Sequence, residues 1–458
     1  MLFGIILSLI LLTIIAYRGY SVILFAPVCA LIAASTAGMP LMPTYTELFM
    51  VKAVGYTKSY FPVFLLGAVF GKVMEDTGLA KAIAHWIMQK LGPSKAIAAV
   101  VAACAVLTYG GVSLFVVAFA VYPFAAALFK EADIPKRLIP GSIALGSFTF
   151  TMTAIPGTPQ IQNLIPGKYF GTDAYAAPLF GIIAAIMMLG GGLLWLEYRK
   201  KKMIAAGEGY GTGHINEPEE IKDENLVNPF LAMVPLFTVL VLNFILTNSI
   251  KGWDPNILKP YGITLASVTA IWALIIALVV GIIVAIIIGW KNVKSEVKIM
   301  KALNAGAIGS LLAIMNTSSE VGYGNVVSSL PGFKTVANAL MSIDIGTPLL
   351  SESISVNVLA GITGSASGGM SIALETMGKQ YLDWANAIGL NPELLHRVAS
   401  LSSGGFDTMP HNGAVITLLA ITGMNHRASY PDIGMVSLVI PFASTIILIL
   451  LSTILGLG

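Results

Sequence analysis

Long apolar runs constrain this chain more than any other feature. Seven runs contain no charged residue at all, and charged residues make up only 11% of the 458. A membrane-spanning helix needs about 20 mainly apolar residues at about 1.5 Å each. Soluble domains carry about 25% charged residues, so this chain lacks the charges to cover a water-facing surface. We predict an all-α polytopic membrane protein with about 10 to 12 embedded segments. The runs are Met1–Ala16, Val22–Ser35, Ala96–Leu107, Tyr175–Leu196, Phe230–Leu246, Ile263–Trp290 and Gly434–Leu457.

Several classes of function lack support in the sequence. The net charge of +3 is small and dispersed, which argues against a nucleic-acid partner. Cys29 and Cys104 lie far apart inside apolar runs and are predicted to be small buried side chains. No zinc spacing, nucleotide-binding motif, Ser-His-Asp set or HExxH motif occurs, so we predict no metal, no cofactor and no enzymatic activity. The first run lacks a basic leader and a cleavage site, and we expect it to be a retained helix.

Basic residues predict the topology. One cluster covers residues 199–202, and a second, at positions 291, 294, 298 and 301, follows Trp290. The positive-inside rule places both clusters in the cytoplasm. We therefore divide the chain into a first repeat (1–198), a cytoplasmic linker (199–228) and a second repeat (229–458). Arg18 predicts that the N-terminus lies outside, so the two repeats begin on opposite sides of the membrane and form an inverted pair.

Short motifs recur in the two halves in the same order. Tyr109–Ser113 resembles Ser367–Ser371, and Gly368 follows Gly110 by 258 positions. Residues 151–159 resemble residues 405–413, at an offset of 254. A third, weaker match pairs residues 71–78 with residues 317–324. The nearly constant offset indicates an internal duplication.

The first pair of motifs interrupts apolar sequence with glycine and serine. We predict two re-entrant hairpins, because glycine permits a tight turn and exposed N–H groups can hold a small anion. The alternative is close helix packing through small residues. The candidate substrate-binding residues here are Tyr109, Gly110, Gly111, Ser113, Ser367, Gly368, Gly369 and Ser371.

The second pair of motifs places proline and glycine within apolar sequence, which predicts two broken helices. Gly157, Thr158, Thr408 and Asn412 are candidate substrate ligands. Asp407 and His411 are candidate proton-coupling groups, since ionisable residues at bilayer depth are commonly functional. Alternatively, Asp407 caps the following half-helix and His411 hydrogen-bonds a carbonyl.

Other polar residues are secondary candidates. Glu75 and Asp76 are expected at a solvated helix end, and residues 136–137 and 396–397 are expected to be interfacial anchors, although either arginine could attract an anion. A further group is predicted to line a polar surface: Asn316, Ser319, Glu320, Ser351 and Glu352.

Three stretches carry a family resemblance: residues 65–78, 404–419 and 422–427. In these three stretches the chain resembles the gluconate–proton symporter (GntP-type) permeases of bacteria, within the ion transporter superfamily. Residues 407–413, Asp-Thr-Met-Pro-His-Asn-Gly, look more like the branch that carries 3-hydroxybutyrate than like the gluconate branch.

The resemblance implies a homodimer, two opposed hairpins, two unwound helices and elevator-type alternating access. Sodium-coupled dicarboxylate relatives carry Ser-Asn-Thr at their hairpin tips, where this chain has Gly-Gly-Val-Ser and Gly-Gly-Met-Ser, so proton coupling is expected. The predicted function is proton symport of a small (hydroxy)monocarboxylate across the bacterial plasma membrane. The alternatives are a sodium-coupled carboxylate transporter, an antiporter and a gated anion channel.

Overall fold

The computed structural model describes residues 2–18, 20–112, 114–218, 226–293, 296–343, 345–410 and 412–455. These residues form α-helices joined by short 3₁₀ and π segments, and no strand occurs among them. The helices of the first half are α1 (Leu2–Tyr17), α2 (Val22–Thr36), α3 (Leu41–Pro43), α4 (Met50–Asp76), α5 (Leu79–Leu91), α6 (Ala96–Tyr109), α7 (Leu114–Glu131), α8 (Ile139–Ser147), α9 (Phe150–Thr153), α10 (Ile165–Phe170) and α11 (Pro178–Ala205).

The second half repeats the pattern of long helices interrupted by short ones. Its helices are α12 (Pro229–Ile250), α13 (Leu265–Val293), α14 (Glu296–Ser329), α15 (Phe333–Met341), α16 (Leu349–Thr363), α17 (Ala366–Ile388), α18 (Pro392–Ser403), α19 (Gly413–Thr422), α20 (His426–Gly434) and α21 (Ile440–Leu455).

Long apolar helices confirm the membrane prediction. Six described helices are long and apolar enough to cross a bilayer, and α5 with α6 forms a further pair bent by 100°. The long spans are fewer than the predicted embedded segments because many helices are broken into short pieces. Large apolar side chains are exposed on α11, α12 and α13, for example Leu194 (75%), Phe237 (60%) and Ile287 (67%). Such a surface suits contact with lipid rather than water.

Helix breaks occur at all four predicted places. α6 ends before the two glycines Gly110 and Gly111, and α16 ends at Thr363 and is followed by Gly364 in the left-handed conformation. Between α9 and α10 the chain contains two prolines, and between α18 and α19 it contains one. We call residues 108–113 and 363–371 tip 1 and tip 2, and residues 154–160 and 404–412 break 1 and break 2.

α4 and α14, which carry the third pair of repeated motifs, pack against each other in opposite directions. Thr57 hydrogen-bonds Ser318 at 2.7 Å, Gly306 lies against the backbone of Val69, and Gly322 lies against Phe49. The two helices therefore run antiparallel. This is the arrangement that an inverted repeat produces.

The linker folds back onto both halves of the protein. α11 continues through the basic cluster to Ala205, and the segment after it reaches α7 and α19. The Tyr122 hydroxyl on α7 donates to the Asn216 carbonyl at 2.7 Å, and the Asn216 amide donates to the Ala420 carbonyl at 2.8 Å. Lys136, 1% exposed, pairs with Glu217 at 2.7 Å. The predicted anchor Lys136 is therefore buried beneath the linker.

Candidate functional site

Tip 1 is a tight glycine turn. Gly111 has a φ of +95°, a conformation that favours glycine, and a β-carbon there would lie 3.4 Å from Pro159 of break 1. Gly110 faces Leu236 of α12, where a β-carbon would approach a side-chain carbon to 2.6 Å. Close packing therefore contributes to the need for glycine at position 110. Ser113, also predicted to bind substrate, lies outside the described residues.

Two hydrogen bonds join tip 1 to break 1. The Tyr109 hydroxyl donates to the Pro156 carbonyl at 3.0 Å, and the Gln160 side-chain amide donates to the Thr108 carbonyl at 2.8 Å. Helix ends and proline breaks free carbonyls from their usual partners, and in a membrane these groups need new donors. Gln160 was not among the predicted ligands, although its position just after Pro159 signalled a polar role.

Break 1 is held by its own polar groups. The Thr158 hydroxyl, fully buried, donates to the Thr151 carbonyl at 2.7 Å. The Asn163 amide donates to the Thr158 carbonyl at 3.1 Å, and the Gly157 N–H donates to the Ala174 carbonyl at 2.8 Å. Thr158 and Gly157 thus have structural partners in this conformation.

Arg397 corrects one prediction. Instead of anchoring the chain at the interface, the guanidinium is fully buried and donates to the Ala176 carbonyl at 2.7 Å and to Asn163 Oδ1 at 2.8 Å. The Thr153 carbonyl accepts from it at 3.3 Å and from Ser400 at 2.8 Å. α18 is thereby fastened to the residues that flank break 1 on both sides. His396 is buried too and hydrogen-bonds Thr172 at 2.6 Å, so neither residue of this pair is an interfacial anchor.

Tip 2 begins α17 with a serine cap. The Ser365 hydroxyl accepts from the Gly368 N–H at 3.1 Å, and Gly364 ends α16 with φ +64°. Gly369 packs directly against the backbone of Ala360, so the two arms of this hairpin touch through it. The Ser367 hydroxyl lies 3.5 Å from Thr317 of α14.

Asn412 connects break 2 to tip 2. Its side-chain N–H donates to the Gly364 carbonyl at 2.8 Å, and its Oδ1 accepts from the N–H groups of Ala414 (2.6 Å) and Val415 (3.0 Å). Asn412, and not Asp407, therefore caps α19. In each half, the structure brings the tip to the break that follows it.

The other residues of break 2 differ in how many hydrogen bonds their side chains make. Thr408 is buried; its hydroxyl donates to the Gly405 carbonyl at 3.2 Å and accepts from Ser437 at 3.0 Å. Asp407 is 9% exposed, and its Oδ1 has no hydrogen-bond partner among the described residues. His411, the other predicted proton-coupling group, lies outside the part of the chain that the structure describes.

Unpaired polar atoms cluster beside tip 2. Glu320 is 4% exposed, its Oε2 lies against Gly368, and that oxygen finds no partner in the described chain. The Tyr56 hydroxyl of α4 interacts with Ser367 and Ser371, but the buried Tyr56 and Ser371 hydroxyls make no hydrogen bond of good geometry among the described residues. Buried polar atoms are normally hydrogen-bonded, so this group of atoms indicates a site at which a polar ligand could form hydrogen bonds. Sequence reasoning missed Tyr56; its four-residue spacing from Lys52 and Tyr60 on α4 was the available signal.

Three other secondary candidates lie at the end of α4 and on α16. Glu75 and Asp76 pair with Lys72 at 3.2 and 2.9 Å at the end of α4, as a partly exposed helix end. Glu352 is fully buried on α16, and neither of its carboxylate oxygens has a described partner. Cys29 and Cys104 are buried free thiols, as predicted. Among the described residues, no group of three or more His, Cys, Asp or Glu could hold a metal ion.

Sequence comparisons identify relatives along nearly the whole chain. The model of the GntP family permease matches residues 1–454. The uncharacterized transporter YxjC of Bacillus subtilis (strain 168) is 50% identical over 452 residues, which cover 95% of each chain. An uncharacterized transporter of Haemophilus influenzae (strain ATCC 51907 / DSM 11121 / KW20 / Rd) is 24% identical over 368 residues, or 78% of this chain and 76% of that protein.

Two solved structures share the fold. The YdaH transporter of Alcanivorax borkumensis, described as having an unusual topology, aligns with a TM-score of 0.54 at 16% identity, covering 89% of this chain and 86% of that one. MtrF of Neisseria gonorrhoeae, described as illuminating a class of antimetabolite efflux pumps, aligns with a TM-score of 0.53 at 13% identity, covering 86% and 83%. These two structures show a shared fold, and the sequence match is more specific: the chain belongs to the GntP permease family.

Proposed function

We propose that this permease is a proton symporter of a small monocarboxylate, such as 3-hydroxybutyrate or gluconate, and that the substrate binds where the tips meet the breaks. The observation that carries the proposal is the repeated tip-to-break connection: Tyr109 to Pro156 in one half and Asn412 to Gly364 in the other. A break in a membrane helix is tolerated only in protein-lined or wet surroundings. Two such breaks, each joined to a hairpin tip, support a shared polar binding site.

The available groups suit a carboxylate. Hydroxyls and backbone N–H groups near the start of α17 can donate to a carboxylate, and helix N-termini favour negative charge. Arg397, a buried cation, already donates to backbone carbonyls and to Asn163. The proposed ligands are Ser367, Ser371 and the first N–H groups of α17, and Tyr109, Gly111, Gly368 and Asn412 shape the site by holding the tips in place.

Buried carboxyls support coupling to protons, and Asp407 is the one that the sequence predicts. Asp407 lies in break 2 with an unpaired Oδ1, and a buried charge without a partner is unfavourable unless a proton or cation accompanies it. The connection of each tip to its break also supports movement of these elements as a unit, as elevator-type access requires. The family resemblance supports a homodimer in the plasma membrane. The positive-inside rule supports a cytoplasmic linker and an external N-terminus.

Reconstitution into proteoliposomes tests the proposal. Labelled 3-hydroxybutyrate, gluconate, lactate and citrate are offered under an imposed pH gradient or an imposed sodium gradient. We expect accumulation of a monocarboxylate with the pH gradient alone, together with saturable counterflow. Accumulation driven only by sodium would refute proton coupling, and flux without counterflow would indicate a channel.

A further inference from the structure

The buried Glu320 carboxyl lies against the first turn of α17. A β-carbon on Gly368 would overlap its Oε2 atom, and the cap residue Ser365 faces the same carboxyl. The N-terminal turn of a helix attracts negative charge through its N–H groups and its dipole. Glu320 therefore lies beside the place at which tip 2 would receive a substrate carboxylate.

The surrounding hydroxyls form a second, independent indication of a ligand. Tyr56, on α4, is buried and interacts with Ser367 and Ser371, yet neither its hydroxyl nor that of Ser371 makes a hydrogen bond of good geometry within the described structure. Together with Glu320 Oε2, three buried polar atoms from three different helices lack a well-formed hydrogen bond at one position. A small ligand with several oxygen atoms would satisfy them.

No described charged group compensates Glu320. On α4, Lys52 is paired with Glu375 of α17 at 3.0 Å, and the neighbouring titratable groups are the neutral phenols of Tyr56 and Tyr60. On α2, the Cys29 thiol lies near Tyr323 rather than Glu320, and Glu47, before α4, is exposed. A substrate carboxylate and an ionised Glu320 would therefore repel each other at this site without a cation between them.

We infer that Glu320 at tip 2, rather than Asp407 in break 2, is the proton-binding group that couples proton movement to substrate movement. On the entry side, a proton from water bonds to a Glu320 carboxylate oxygen and makes the side chain neutral. The substrate anion then accepts hydrogen bonds from Tyr56, Ser371 and the start of α17. On the exit side the anion leaves, the O–H bond of Glu320 breaks, and the proton returns to water. One proton accompanies each anion, and the step rests on the proposed carboxylate site at tip 2.

The test uses the full-length protein in proteoliposomes with labelled 3-hydroxybutyrate and gluconate as probes. Two quantities are measured: exchange without any gradient, and accumulation under a gradient of one pH unit, which supports about tenfold accumulation for one proton per anion. Glu320→Gln imitates the protonated state. We expect it to retain exchange, which becomes independent of pH, and to lose accumulation.

Matched variants separate protonation from packing. Glu352→Gln changes an equally buried, unpaired glutamate on α16, and we expect it to accumulate the probe as the wild type does. Glu320→Asp retains an ionisable carboxyl and is expected to retain accumulation at a lower rate. If Glu320→Asp and Glu320→Gln lose accumulation equally, packing explains the effect and the inference is wrong.

Two further outcomes are distinguishable. Wild-type accumulation by Glu320→Gln would overturn the role of Glu320 and leave the proposed symport intact. Failure of the wild type itself to accumulate either probe under the pH gradient would refute the proposed function, and the inference with it.

Discussion

The side-chain amide of Asn412 donates to the Gly364 carbonyl at 2.8 Å while its oxygen caps α19, so one residue closes two helix ends on different elements. In the first half, two residues perform the corresponding role: Tyr109 and Gln160 together join tip 1 to break 1. The two halves thus use different side chains for the same purpose: each fastens a hairpin tip to a broken helix.

Asn412→Asp should separate these two tasks. A carboxylate can still cap α19, but it cannot donate to Gly364. We expect apparent thermal stability in detergent close to that of the wild type, with reduced substrate uptake. Asn412→Ala loses the cap as well and should cost about 1–2 kcal/mol of stability. Equal stability of the Ala and Asp variants would contradict this division of roles.

Gly368→Ala should impair transport because the added methyl group would collide with the Glu320 carboxyl and approach the Ser365 hydroxyl. Uptake by reconstituted protein is the measurement. Gly378→Ala, on the same helix, is the matched control, since its β-carbon would meet only ordinary contacts, the nearest at 3.5 Å. Alanine in a helix interior stabilises the fold by about 0.5–1 kcal/mol relative to glycine. The control should therefore transport normally and unfold at a slightly higher temperature. Normal uptake by Gly368→Ala would show that the tip is not closely packed against Glu320.

Arg397→Lys tests whether the buried guanidinium is structural. Lysine carries the same charge but cannot reach the Ala176 carbonyl, the Thr153 carbonyl and Asn163 together. Leaving buried acceptors unpaired costs about 1–3 kcal/mol, so apparent stability should fall by that amount. For the folded fraction, the KM for the substrate should remain near that of the wild type. A large increase in KM with unchanged stability would instead assign Arg397 to anion binding.

The Lys136–Glu217 pair should make attachment of the linker depend on pH. Burial opposes ionisation of Glu217, but the hydrogen bonds from Lys136 and Tyr210 outweigh it and lower its pKa below the ordinary value of 4.5. A lowered pKa in the folded state adds stability above about pH 4.5, and this contribution disappears as the pH falls through the folded-state pKa. We expect proteolysis of the linker to increase over that acidic range in the wild type.

Glu217→Gln should remove this dependence and leave the linker equally accessible at neutral and acidic pH. Asp383→Asn is the matched control, because its partner Lys379 is 85% exposed and such surface pairs contribute little. Unchanged protection of the linker in Glu217→Gln would show that the hydrogen bonds of Tyr122 and Asn216 suffice to hold it.

Much of the architecture follows from local chemistry. Apolar runs predicted the helices, and the glycine and proline motifs located all four breaks, because these residues act on the backbone at their own positions. The same reasoning placed Cys29 and Cys104 in the interior. By contrast, Arg397 and Lys136 were expected at the interface, and the structure buries both. Their partners lie far away in the sequence, and local pattern carries no information about such contacts.

The sequence by itself determined the class of protein, the duplication and the positions at which the helices break, since these depend on hydrophobicity and backbone geometry. Only the tertiary structure decided which breaks and tips touch, that Asn412 rather than Asp407 caps α19, and that Tyr56 and Glu320 converge on tip 2. Residues 56, 320 and 371 lie on three separate helices, so their meeting depends on how those helices pack. The physical reason is that the pairing of a buried polar group depends on the atoms around it, and only the packing of the helices brings those atoms together.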